Sequence, residues 1–178
     1  LDDVNDRLYV FTRFDNAISI LDTNSGVETA HLPLHNPEPA SVVNGRSLLY
    51  DARFTSSNGE AACASCHIFG DFDSLAWDLG NPGDVVKANQ NPFRSPPGSG
   101  GLDNFHPLKG PMTTQTLRGL NGLQPFHWRG DKADFLAFNP AFVALMGGTQ
   151  LSSADMIAFR DFVNTITFAG NPNQNLDR

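Results

Sequence analysis

Both cysteines of this 178-residue chain fall in one short run, Cys63-Ala64-Ser65-Cys66-His67. C-x-x-C-H is the attachment sequence for a c-type haem. The two thiols add to the haem vinyl groups, and the following imidazole reaches the iron from one face. A chain with this motif folds around a porphyrin, so its core need not come from secondary structure alone. The competing readings are weaker. A redox dithiol belongs in a thioredoxin-like βαβ setting, and no such pattern surrounds Cys63. A structural zinc site takes four ligands, and no third cysteine exists. A disulfide across two intervening residues closes too small a loop to stabilise much.

Composition narrows the partners. The formal net charge is −7 with no basic run, which argues against nucleic acid. No apolar stretch approaches the roughly 20 residues of a membrane-spanning helix. No signal-peptide pattern opens the sequence either. Covalent haem attachment normally takes place outside the cytoplasm. The start at Leu1-Asp2-Asp3 therefore reads as a mature piece of a larger secreted precursor, with a periplasmic or secreted location expected. Sixteen glycines and twelve prolines predict much loop.

The first third reads as β structure. Arg7–Thr12, Ala17–Asp22 and Val27–Leu34 are short strands separated by turns at Asp15-Asn16 and Asn24-Ser25-Gly26. Leu8-Tyr9-Val10, Ile18 to Thr23 and Gly26 resemble one repeat of the YVTN-type β-propeller family. Blades of that kind bury their faces only against neighbours, so the resemblance implies a larger propeller-containing protein as partner. The expected division is 1–36 for this antiparallel meander and 37–178 for the haem domain, with a Pro-containing linker at 35–44. The fold expected for the haem domain is mainly α and cytochrome c-like, with long loops. Gly45 to Phe54 has helical character, as do Asp134–Phe138 and Ala141–Met146, which Asn139-Pro140 separates. The last helix is clearest. Ser152 is a good N-cap with Asp155 three residues on, and Met156, Phe159, Val163 and Ile166 recur at helical spacing. Residues 80–107 are rich in Pro, Gly and Asn and are expected to wrap the cofactor.

The second axial ligand decides what such an iron does: Met or His suits electron transfer, and an open position admits substrate. Candidates are Met146, His106, Met112, Met156 and His127; His31 and His35 lie in the sheet and linker. Met146 stands in a turn before the capped helix. Met156, inside that helix, reads as core. His106 and Met112 are loop-borne. His127, beside Trp128 and Arg129, suits a hydrogen bond better than iron.

Gly45 to Phe54, the Ser57-Asn58-Gly59 turn and Cys63–His67 together resemble the opening of the bacterial cytochrome c peroxidase/MauG superfamily. Thr114 to Leu120 is similar to its T-P-T-L-R-N segment, and Phe126 to Asp131 to its aromatic-D-G-R element. The likeness covers about residues 45 to 168, and is closer still to secreted proteins that join a YVTN propeller to such a domain. It implies Met146 as axial ligand and His106 as second choice; Met112, which matches neither family position, ranks third. It also implies Arg118, Arg129 and the indole of Trp128 as partners for haem propionates. The family's enzymes carry two haem domains and this chain one motif. The expectation is therefore an electron carrier serving redox partner proteins, with peroxidase or oxidase chemistry as the alternative.

Overall fold

A computed structural model of the chain describes residues 1–89 and 104–175. Strands β1 (Arg7–Thr12), β2 (Ala17–Asp22) and β3 (Glu28–Pro33) form an antiparallel sheet in the order β1-β2-β3; the first two coincide with the expected runs of β-formers and the third is one residue shorter at each end. The turns work as their residues dictate. Asn16 adopts φ +52, and its amide nitrogen holds the His35 carbonyl at 3.1 Å. Asp22 caps the second turn by accepting from Ser25 N at 2.8 Å. Only β2 is covered, through Ala17 and Ser19. Leu8, Tyr9, Val10 and Phe11 of β1 are all exposed, so residues from both faces of that edge strand reach solvent.

Helix α1 (Ala40–Tyr50) begins inside the stretch expected to be linker. Pro39, at φ −57 and ψ 143, is already shaped to precede a helix, and its carbonyl accepts from Val42 and Val43. Asp51 ends α1 and caps the short α2 (Ala52–Thr55) by accepting from Arg53 N. Two single-turn 3₁₀ segments follow, Cys63–Ser65 and Ile68–Gly70. Four two-residue strands come next: β4 (Ala76–Trp77), β5 (Lys87–Ala88), β6 (Asn104–Phe105) and β7 (Met112–Thr113). β4 pairs with β7 and β5 with β6, both antiparallel. After a 3₁₀ turn at Phe135–Phe138 come α3 (Ala141–Ala144) and α4 (Ser153–Val163).

The expectation of a mainly helical, cytochrome c-like fold is overturned. Of the described residues only 24% are helical and 19% are strand, and every sheet among them is antiparallel. The cause is local. Among the described residues between Gly70 and Asp134 the chain runs through turns in which Asn and Asp side chains accept from nearby backbone N–H groups, as at Asp73, Asp78 and Asn81. Such turns compete with helix. The two smaller helical expectations shrink for the same kind of reason. Asp134 caps only a 3₁₀ turn, and Pro140 starts a helix that stops at Ala144. Asn91-Pro92 and Pro96 to Gly101, expected to belong to a long cofactor-wrapping loop, lie outside the described residues.

The core lies where α1 crosses α4. Leu48 and Leu49 pack there with Met156, Phe159, Phe162 and Val163, and with Phe135 and Phe142. Met156, 1% exposed, is core as expected. Gly45 sets the approach: a Cβ there would lie 2.0 Å from the Ala158 carbonyl oxygen. The cap of α4 is as the sequence indicates, with Ser152 Oγ accepting from Asp155 N at 3.1 Å. Among the described residues, no helix is long and apolar enough to cross a membrane.

Candidate functional site

Cys63 and Ala64 pack against the α1/α4 core, which fixes the start of the C-x-x-C-H turn. Within it, Cys66 N and His67 N both bond to the Cys63 carbonyl, at 3.2 and 3.0 Å. The tight turn carries both sulfurs and the imidazole on one short arc. The cysteines are not bonded to each other. Burial raises both thiol pKa values, that of Cys63 to about 11. A dithiol used for exchange needs the opposite, a lowered pKa. Among the described residues, no group of three or more His, Cys, Asp or Glu side chains is placed to hold a metal ion, so the zinc reading gains no ligand set.

His67 is half-buried, and its Nδ1 lies 3.3 Å from the Asp71 carbonyl oxygen. That contact assigns a proton to Nδ1 and fixes the orientation of the ring. Burial lowers the pKa of the ring against the opposing hydrogen bonds to the Asp71 and Gln115 backbone. The ring is held by a backbone carbonyl in the manner of iron and zinc ligands. Two unpaired thiols and one oriented imidazole fit the donor set of a covalent haem.

The chain then doubles back. Phe69 (φ +55) and Gly70 (φ +75) are both left-handed, and a side chain at Gly70 would meet Ile166 Cγ2 at 2.9 Å. The reversal turns the Gly70 carbonyl toward Leu117 N, 2.9 Å away. It also leaves Phe69 83% exposed, with Ile68 and Phe72 exposed beside it, an apolar collar next to His67.

Arg118 locks this arrangement. Its Nε donates to Asp71 Oδ2 at 2.9 Å, its Nη2 to the Phe69 carbonyl at 3.3 Å and its Nη1 to the Thr167 carbonyl at 3.1 Å. Thr116 Oγ1 donates to the other Asp71 oxygen at 2.7 Å. Asp71 is held below the usual carboxylate range by the Thr116 and Arg118 hydrogen bonds. Arg118, expected to serve a propionate, thus spends two donors on the turn after His67 and a third tying that turn to Thr167.

Trp128 and Arg129 belong to a second cluster. Trp128 Nε1 donates to the Thr113 carbonyl at 2.7 Å, and Arg129 Nη1 to the His106 carbonyl at 2.6 Å. The Arg129 guanidinium also lies 5.4 Å from the Phe105 ring centre. His106 is exposed, and its Nδ1 accepts from Leu108 N at 3.2 Å. Met112 pairs across the β4–β7 ribbon with Trp77. Met146 is half-buried, and its carbonyl accepts from Ser57 N at 3.3 Å, which ties it to the segment leading into Cys63. The structure thus groups Cys63, Cys66 and His67 with Arg118, and His106 with Trp128 and Arg129.

Sequence reading missed two features. One is Asp71, whose role depends on partners far along the chain. The other is the carboxylate behind His127: Asp131 Oδ1 lies 3.0 Å from His127 Nδ1. Burial opposes the charge on Asp131, but the His127 hydrogen bond and charge, aided by Lys109 and Arg129, push its pKa down to about 2. His127 is left-handed, at φ +67, and stacks edge-on against Phe138 at 4.9 Å. The Gly-Asp following Arg129 was the available signal.

No protein-family model matches the chain. No curated protein matches it. Among solved structures it is similar to Kuenenia stuttgartiensis hydrazine synthase pressurised with 20 bar xenon, at a TM-score of 0.50 and 23% identity. That likeness covers 80% of this chain and 42% of the other, so this chain spans less than half the length of that protein. At such identity the likeness concerns the fold alone.

Proposed function

We propose that this chain carries one covalent haem c, attached through Cys63 and Cys66 with His67 on the iron, and serves as an extracytoplasmic electron carrier. The observation that supports it most is the His67 imidazole, whose Nδ1 is occupied by the Asp71 carbonyl beside two free thiols. A haem supplies one-electron exchange at its iron, and the protein's share is orientation and exclusion of water. Asp71 and Arg118 hold the turn, and Ile68, Phe69 and Phe72 offer apolar surface beside it. Met146 is the proposed second axial ligand, ahead of His106 and Met112, and its tie to Ser57 supports that choice. An acidic surface suits basic redox partners, whose encounters are weak and small in area. The bare faces of β1 support packing against further blades of a larger propeller-containing protein.

A ferric absorption spectrum tests the reading. A methionine–iron charge-transfer band that Met146→Ala removes is the expected result. A spectrum that changes only with His106→Ala moves the ligand to His106. The second reading, peroxidase-type chemistry at an open iron, draws on the His127–Asp131 pair, which leaves one ring nitrogen for acid–base work. A high-spin spectrum with ready cyanide binding favours it over electron transfer.

A further inference from the structure

Away from the haem motif, a cavity of about 520 Å³ opens between the β1–β2 turn and the α1/α4 pair, lined by Arg13, Phe14, Arg46, Tyr50 and Phe162. Its construction follows from Gly45. The close crossing that Gly45 permits draws the next residue, Arg46, down against α4. The Arg46 side chain is only 7% exposed and its guanidinium lies 5.6 Å from the centre of the Phe162 ring. Tyr50, one turn further along α1, meets the same ring edge-on at 6.3 Å.

Arg46 is under-used. Its Nη2 pairs with Glu38, while Nη1 is buried with no hydrogen-bond partner. A buried guanidinium N–H without an acceptor is costly. Arg13, exposed on the β1–β2 turn, brings a second guanidinium to the same cavity. Its charge and that of Arg46 both act on Glu38, the Arg46 hydrogen bond first. Two arginines against one carboxylate leave one positive charge uncompensated. The other three lining residues are aromatic. A cavity of this size, mostly apolar with a few convergent polar groups, has the character of a small-molecule site.

We infer that this cavity binds a flat organic monoanion, a carboxylate on an aromatic ring, with the carboxylate between Arg13 and Arg46 and the ring among Phe14, Tyr50 and Phe162. Guanidinium forks match a carboxylate's two oxygens. A doubly charged inorganic anion suits the site less, because one excess charge does not balance it and the aromatic walls give it nothing. The inference is independent of the haem.

Benzoate is the probe. Calorimetric titration of the whole chain, with inorganic phosphate and benzyl alcohol as comparisons, separates charge from ring. Saturable benzoate binding at least tenfold tighter than either comparison is expected, weakened tenfold or more by Arg13→Gln. Arg13 is exposed, so that variant keeps the fold; Arg46→Gln should act in the same direction where it folds. Phosphate binding as tightly as benzoate, equal benzoate affinity in wild type and Arg13→Gln, or no saturable binding by 10 mM (on the order of the weakest useful affinity) would each overturn the inference.

Discussion

The α1/α4 pair and the described residues between Cys63 and Lys132 hold their shapes by different means. The helices are joined by buried apolar side chains around Gly45, where backbone approaches backbone. Among the described residues after Cys63, up to Lys132, there is little regular structure. These residues are held by side chains that reach backbone or carboxylate, such as Arg118 to Asp71 and Phe69, Trp128 to Thr113 and Arg129 to His106. The lesson is a division of labour. The helical pair supplies stability, and the side-chain-braced stretch supplies geometry at Cys63, Cys66 and His67. Damage to the first should unfold the chain, whereas damage to the second should disturb the site more than the fold.

The sharpest break is Gly45→Ala. The new methyl would sit 2.0 Å from the Ala158 oxygen, so the helices must part. The expected loss is about 3 kcal/mol or more, the upper end of overpacking, read as a fall in urea midpoint or outright failure to fold. Arg118→Ala should cost less, about 1–3 kcal/mol for three lost hydrogen bonds at a partly exposed side chain. Its distinguishing effect is at the site: freed of Arg118, the Asp71–His67 turn loosens, and the spectrum of the proposed haem should broaden or shift. Arg118→Lys should restore little, since one ammonium cannot replace the fork. An unchanged spectrum in Arg118→Ala would erase the contrast between the two regions.

Proton titration sharpens the contrast further. Asp131 is depressed from 3.8 to about 2, so its contribution is present above pH 3.8 and vanishes as pH falls through about 2. The difference is worth about 2 kcal/mol, and Asp131→Asn should remove that acid-side slope in a urea titration. The smallest effect belongs to the sheet. Hydrogen bonds to Glu28, and then Asp15, raise the pKa of His31. Its contribution is therefore full below 6.5 and is lost as pH rises through the raised value. The pair is exposed, so His31→Gln should alter the slope of stability near neutral pH only slightly.

How much of this was legible follows the same division. Local signals could be read: the runs of β-formers in β1 and β2, the Ser152–Asp155 cap, and the cysteine motif itself. Each rests on residues a few positions apart. The Asp71–Thr116–Arg118 lock could not, because nothing in the residues around Asp71 points to a partner more than forty positions away. The start of α1 was misread because Pro39 looked like linker yet also opens a helix well. The helical fold was overestimated because isolated helical patterns at 134–146 lacked the length to outcompete Asn139-Pro140 and the Asx turns before them.

The most direct measurement is on the denatured protein. After boiling and extraction with acidic acetone, the colour should remain with the polypeptide, and a Cys63→Ala, Cys66→Ala double variant should lose it. Pigment that passes into the acetone from the unaltered chain, or a chain purified without pigment under conditions that attach haem to other C-x-x-C-H proteins, would contradict covalent haem at Cys63 and Cys66.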